Sequence, residues 1–136
     1  MRAMLLERPG PAAAAPLQAV DRPLPYPVAG ELRLRVGACA MCRTDLQLCE
    51  GDLPARRLPV VPGHQVVGVV DAVGDGVTDW APGDRAGLTW LAGIDGTCRF
   101  CATGRENLCE AAAFTGWDRD GGYAEWITAR ADVAVR

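Results

Sequence analysis

Between Glu31 and Val36 apolar and charged residues alternate, with Leu32, Leu34 and Val36 on one side of an extended chain and Glu31, Arg33 and Arg35 on the other. A period of two with charge at every second position predicts a strand buried on one face. From Gln65 to Val73 the pattern becomes a nearly continuous apolar run, Val66, Val67, Val69, Val70 and Val73, broken by Gly68. That run predicts a central strand covered on both faces, bent or closely approached at its glycine. Further strands are predicted near Arg2 to Leu6, Arg85 to Leu88 and Gly122 to Ile127, the second of them after the turn residues Ala81-Pro82-Gly83-Asp84. Helical signals are short, about Thr44 to Cys49 and a turn near Arg105 to Cys109. The proline-rich stretch Pro9 to Pro27 suits an edge strand or an extended loop, and Asp132 to Arg136 reads as a strand with no closing turn.

Ten prolines and sixteen glycines in 136 residues break the chain into short pieces, so a single, mostly β domain spanning residues 1–136 is expected. Hydrophobic residues at 49% and charged residues at 23% are ordinary for a folded globular chain. Fourteen cations, all arginine, stand against seventeen acidic residues, a net charge of -3. That is the wrong sign for collecting nucleic-acid phosphates or anionic lipid, and neither partner is expected. No run of eighteen apolar residues occurs, and the N-terminus reaches a charge before a signal-peptide core could form, so a cytoplasmic location is expected. In a reducing compartment six cysteines point to metal binding or redox chemistry in preference to a disulfide framework.

Cys98, Cys101 and Cys109 lie in a loop of small and polar residues with the spacing C-x2-C-x7-C. Structural zinc takes four N, S or O ligands in a tetrahedron, and Asp95, three residues before Cys98, offers a carboxylate oxygen for the fourth corner. Unmetallated buried thiols are the other reading. Cys39 and Cys42 form a second C-x2-C pair, which alone is compatible with a redox motif. The sole histidine, His64, follows a Pro-Gly turn and opens the apolar strand. It is either a hydrogen-bonded structural residue or, with a thiolate and the hydroxyl of Thr44, half of a catalytic zinc site with an open position.

Five blocks in order carry a resemblance: Gly37-Ala38-Cys39-Ala40-Met41-Cys42-Arg43-Thr44-Asp45-Leu46, Pro62-Gly63-His64-Gln65-Val66-Val67-Gly68, Pro82-Gly83-Asp84-Arg85-Ala86-Gly87, the cysteine loop, and Asp120-Gly121-Gly122-Tyr123-Ala124-Glu125. Over nearly its whole length the chain resembles the N-terminal, GroES-like catalytic domain of the zinc-dependent alcohol dehydrogenases in the medium-chain dehydrogenase/reductase superfamily. The resemblance implies a partly open β-barrel with short helices and a zinc-knuckle loop. It implies that Cys42 and His64 bind a catalytic zinc, while Cys39 and Cys49 are packed thiols. Thr44 would hydrogen-bond the alcohol and pass its proton outward, Asp45 would orient a ligand, Arg43 would meet the cofactor pyrophosphate, and Trp90 would narrow the substrate pocket. The implied reaction is alcohol oxidation by hydride transfer to NAD or NADP, with zinc as Lewis acid, on a small-molecule alcohol or carbonyl substrate in a homo-oligomeric enzyme.

Three positions depart from the family pattern. Gln47 stands where many members have a histidine that ends the proton relay, Gln65 replaces a glutamate after the ligand histidine, and Asp95 replaces a knuckle cysteine. A third catalytic-zinc ligand and a Rossmann cofactor domain, which the family carries further along, are absent from this chain, and Gly74-Asp75-Gly76 is no dinucleotide fingerprint. The chain is therefore expected to be the N-terminal domain of such an enzyme and inactive alone. A self-standing zinc-binding module of the same fold is the alternative, and a zinc-free quinone or enoyl reductase is disfavoured by the cysteine loop and the Cys/His pair.

Overall fold

The computed structural model describes residues 1–136, and the chain forms eight strands and one α-helix joined by turns: β1 (Arg2–Leu6), β2 (Leu17–Asp21), β3 (Glu31–Ala40), α1 (Arg43–Glu50), β4 (Gln65–Val73), β5 (Arg85–Leu88), β6 (Leu91–Gly93), β7 (Ala113–Phe114) and β8 (Trp126–Arg130). The main sheet has the order β5-β4-β3-β8, antiparallel throughout, and two further two-stranded sheets pair β1 with β2 and β6 with β7. The sheets do not close on one another, so the barrel is partly open, as expected. No helix is long and apolar enough to cross a membrane.

Leu32 and Leu34 of β3 are fully buried, as their alternation requires, and pack with Val66, Val70, Ala86, Leu88, Ile127 and Ala129 in the main core. The charged position Glu31 is buried too, because Arg119 donates to its carboxylate from a distant loop. β4 has the predicted limits and pairs on both edges, but its burial differs from the expectation. Val66 and Val70 face the core whereas Val67 is 53% exposed, because no layer covers the other face of the sheet. At Gly68 an added Cβ would come within 3.2 Å of the Arg35 carbonyl carbon, so the close approach read from the sequence is present. The last strand is Trp126–Arg130, later than predicted, and Ala131–Val133 is a 3-10 turn followed by one bridge from Val135 to Gly87 instead of a strand. The proline-rich segment supplies the short strand β2, which continues β1 into a hairpin-like pair.

Two smaller clusters seat the helix and the segment before β4. Leu48 and Cys49 of α1 pack on Leu6 and Val60, and Ala3, Leu5 and Val61 lie beside them. This packing brings the start of α1 next to residues 61–64.

Candidate metal centre and cleft

Cys42 is the N-cap of α1: its Sγ accepts from the Thr44 main-chain N–H at 3.3 Å, and its own N–H donates to Asp45 Oδ2 at 2.9 Å. A reciprocal arrangement of this kind satisfies two of the free donors at a helix start and fixes the rotamers of both residues. Asp45, 4% exposed, also accepts through Oδ1 from Gly63 N–H at 3.1 Å, and the same oxygen stands 3.1 Å from His64 Nδ1. A carboxylate oxygen this close to Nδ1 favours the imidazole proton on that nitrogen, which leaves the Nε2 lone pair free. Nε2 lies 3.1 Å from Cys42 Sγ.

The residues fit a zinc ion at this point. Tetrahedral zinc with ordinary Zn–S and Zn–N bonds separates sulfur from nitrogen by about 3.5 Å, and the observed pair is within a few tenths of an ångström of that, with Asp45 also inside 4.8 Å. Asp45 already spends one oxygen on each of two main-chain donors and stands against Nδ1, so its part is to aim the imidazole. Carboxylate support behind a ligating histidine is what metal sites use to set ring orientation. Cys39 stays outside this cluster, under Gly63 and Gly122, and Cys49 is buried in the helix packing. Burial raises both thiols above the ordinary cysteine value.

His64, Asp45 and Thr44 line a cleft of about 890 Å³ with Gln65, Val67 and Trp90. Arg43 opens α1 as an exposed residue outside that lining. The cleft also contains residues that the sequence reading missed. Phe114 stacks on Trp90 with centroids 5.6 Å apart and planes 10° from parallel, and Trp117 lies 5.6 Å from Phe114. Arg56 covers the outer side, 3.9 Å from the Trp117 ring, held there by Asp118 at 3.0 Å. Trp117 Nε1 donates to Pro54 O at 2.9 Å. Spacing could not reveal this wall, since Trp90 and the Phe114-x-x-Trp117 pair come from separate segments; only the aromatic composition of residues 114–117 hinted at it.

The second cluster gathers Asp95, Cys98, Cys101 and Cys109, whose ligand atoms all lie within 4.8 Å of one another. Cys98 Sγ and Cys101 Sγ are 3.6 Å apart, near the edge of about 3.8 Å that two zinc-bound sulfurs span. Asp95 Oδ1 accepts from the N–H groups of Thr97 (2.8 Å) and Cys98 (2.9 Å), which holds its carboxyl at about 2, far below the usual range. Cys98 is drawn down by main-chain hydrogen bonds from residues 101 and 110. Desolvation and the neighbouring thiols of Cys98 and Cys109 push Cys101 up to about 12, because crowded thiols without a cation resist becoming anions together.

The chain is similar to known proteins along its length. The model of the alcohol dehydrogenase GroES-like domain matches residues 28–136. The chain is 47% identical to "Probable alcohol dehydrogenase AdhA" of Mycobacterium tuberculosis, over 98% of this chain and 40% of that protein. It is 44% identical to an alcohol dehydrogenase of Geobacillus stearothermophilus, over 89% of this chain and 36% of the relative. Among solved structures, the cobalt- and zinc-bound thermostable alcohol dehydrogenase from Pyrobaculum aerophilum superposes with a TM-score of 0.90 at 33% identity, covering 99% of this chain and 40% of that one. The chain thus spans about two fifths of the length of these relatives.

Proposed function

The chain belongs to the alcohol dehydrogenase GroES-like domain family, and from that premise we propose that it is the catalytic domain of a zinc-dependent alcohol dehydrogenase, which oxidises an alcohol to an aldehyde or ketone with NAD or NADP as hydride acceptor. The observation that carries this reading is the 3.1 Å approach of Cys42 Sγ and His64 Nε2 beside a cleft walled by aromatic rings. Cys42 and His64 are the protein donors for the catalytic zinc, and Asp95, Cys98, Cys101 and Cys109 those for a structural one. Zinc in the first site supplies Lewis acidity, lowering the pKa of an alcohol hydroxyl and polarising a carbonyl in reverse.

The remaining work falls to the chain's own groups. Asp45 keeps the proton on His64 Nδ1 and the imidazole aimed at the metal position. Thr44, at the first turn of α1 and facing the cleft, takes the proton of the substrate hydroxyl and hands it to water, since the amides Gln47 and Gln65 do not titrate. Trp90, Phe114 and Trp117 exclude water and hold the hydrocarbon part of the substrate. Arg43, exposed at the helix start, is suited to the cofactor pyrophosphate. A cytoplasmic setting suits the six free cysteines, and a homo-oligomer is the assembly in which the enzyme works.

The deciding experiment combines Cys42→Ser with His64→Ala in the protein that also carries the cofactor-binding part. Alcohol-dependent reduction of NAD or NADP is lost while the circular dichroism spectrum is kept. Retained turnover removes both residues from the mechanism.

A further inference from the structure

We propose that Asp120 is a positioning residue for His64, acting through the main chain of Val61, and that Arg22 and Arg57 hold its carboxylate in place for that task. His64 follows a stretch, Val60 to Gly63, that lies outside any strand and is tied to β1 by a single bridge from Val60 to Leu6. Val61 and Pro62 are almost fully buried and Gly63 is buried, so their main-chain polar groups must find partners inside the protein. Asp45 supplies one of these partners, at Gly63 N–H.

The others come from residues 120–123. Gly121 N–H donates to Val61 O at 2.6 Å, Tyr123 N–H to Pro62 O at 3.0 Å, and Gly122 N–H to Gly63 O at 2.8 Å. Asp120 Oδ1 accepts from Val61 N–H at 3.1 Å and is the one side chain in this clasp. The two glycines make room for it: a Cβ at Gly121 would lie 2.6 Å from Pro62 O, and one at Gly122 would lie 2.9 Å from Cys39 Sγ. Asp120 reaches the buried stretch from the surface, where Arg22 Nη1 donates to its Oδ2 at 2.9 Å and Arg57 Nη2 stands 3.6 Å from Oδ1. The turn that carries His64 is therefore gripped from the helix side by one carboxylate, Asp45, and from the opposite side by another, Asp120. Only Asp45 touches the imidazole; Asp120 sets where the backbone beneath it lies.

The chain has one histidine, which makes the test direct. With 15N-labelled histidine the metal-free chain gives a single imidazole, expected as sharp signals with the proton on Nδ1. Asp120→Ala broadens these signals or moves the proton to Nε2, and weakens cobalt(II) binding at Cys42 and His64 about 10- to 100-fold, the usual range for removing outer support from a metal ligand. Cobalt binding at Asp95, Cys98, Cys101 and Cys109 does not change. Asp120→Asn recovers most of the loss and is no broader than Arg22→Met, because its amide oxygen still accepts from Val61 while its NH2 group no longer pairs with Arg22. Arg22→Met, a surface change that spares folding even where Asp120→Ala does not, broadens the signals to a lesser degree. An unchanged imidazole spectrum in Asp120→Ala or Arg22→Met overturns the proposal, as does an equal loss of cobalt affinity at both clusters or an Asp120→Asn variant as impaired as Asp120→Ala. The cobalt arm rests on the catalytic-zinc reading above: wild-type chain that binds no cobalt at Cys42 and His64 overturns that reading, while the imidazole spectrum still decides the role of Asp120.

Discussion

Replacing Asp45 by asparagine separates the two tasks of that residue. The carboxylate accepts two hydrogen bonds, from Cys42 N–H through Oδ2 and from Gly63 N–H through Oδ1, and its Oδ1 also stands 3.1 Å from His64 Nδ1. An amide has one oxygen. Turned toward Gly63 and His64 it keeps the Gly63 bond and the oxygen beside Nδ1 and sets its NH2 group against the Cys42 N–H, whereas the opposite flip loses both, so the first orientation is favoured. The loss is one charge-assisted hydrogen bond, about 1.5–3 kcal/mol, plus a donor left facing a donor, about 1 kcal/mol at this part-buried site, together about 3 kcal/mol. For a chain of this size that lowers Tm by about 10 °C. Urea denaturation with chelator present should show the midpoint moving down with an unchanged m value, while cobalt binding at Cys42 and His64 persists because an oxygen still faces Nδ1. Asp45→Ala strands both main-chain donors and removes the oxygen beside Nδ1, and should cost about 4 kcal/mol, a large part of a domain's stability. A loss below about 1 kcal/mol in Asp45→Asn would refute the reasoning, since the helix start would then not depend on this acceptor.

Arg119→Met leaves the buried carboxylate of Glu31 without its partner; breaking a buried pair costs about 3–5 kcal/mol, and discounting for the 35% exposure of Arg119 gives about 2 kcal/mol, readable as a urea midpoint shift that Glu31→Gln added to Arg119→Met largely restores. At the cysteine loop, Cys101 at about 12 carries its proton throughout the working range and must release it to a metal, so the apparent zinc affinity falls about tenfold for each pH unit between pH 8 and 6 through that thiol alone, whereas Asp95 at about 2 is already ionised and adds no slope. Chelator competition at three pH values measures this, and a flat profile counts against thiolate ligation. In the active protein, Trp90→Ala unstacks the ring from Phe114 and should reduce kcat/KM for aryl alcohols about 3- to 10-fold relative to ethanol, from the usual worth of an aromatic pair. An equal change for both substrates would mean that Trp90 does not contact the substrate.

Local pattern carried much of the fold. Alternation at Leu32 and Leu34 marks a one-faced strand because period two is a property of the extended backbone itself, and the helix at Arg43–Glu50 extends one residue beyond each end of the signal read from Thr44 to Cys49. The run Val66 to Val73 misled as to its second face, since an apolar residue that walls a cleft is written in sequence like one that packs against another layer. Asp132 to Arg136 reads as a strand, but after the 3-10 turn only Val135 finds a partner, at Gly87. The metal-binding residue types stood out because cysteine is scarce and histidine occurs once. What holds them did not: Glu31 meets Arg119 across 88 positions and Asp120 meets Val61 across 59, distances over which one sequence carries no readable signal.

The two clusters differ in how much of the fold each requires. Asp95 to Cys109 closes within one loop, with Asp95 N–H reaching Cys109 Sγ across 14 positions and every other contact shorter still. Closing so short a loop costs little chain entropy, and the crowding that pushes Cys101 up disappears once a cation shares the sulfurs. Cys42 and His64 are 22 positions apart, yet loop length is the smaller obstacle, since doubling it adds only about 0.6 kcal/mol. Their approach requires α1 docked on Leu6 and Val60, and the Val61–Gly63 stretch gripped by residues 120–123 from the far end of the chain. The loop can therefore organise a cation locally, while the cleft pair exists only as a product of the completed fold, which is why a change as remote as Asp120 is felt at His64.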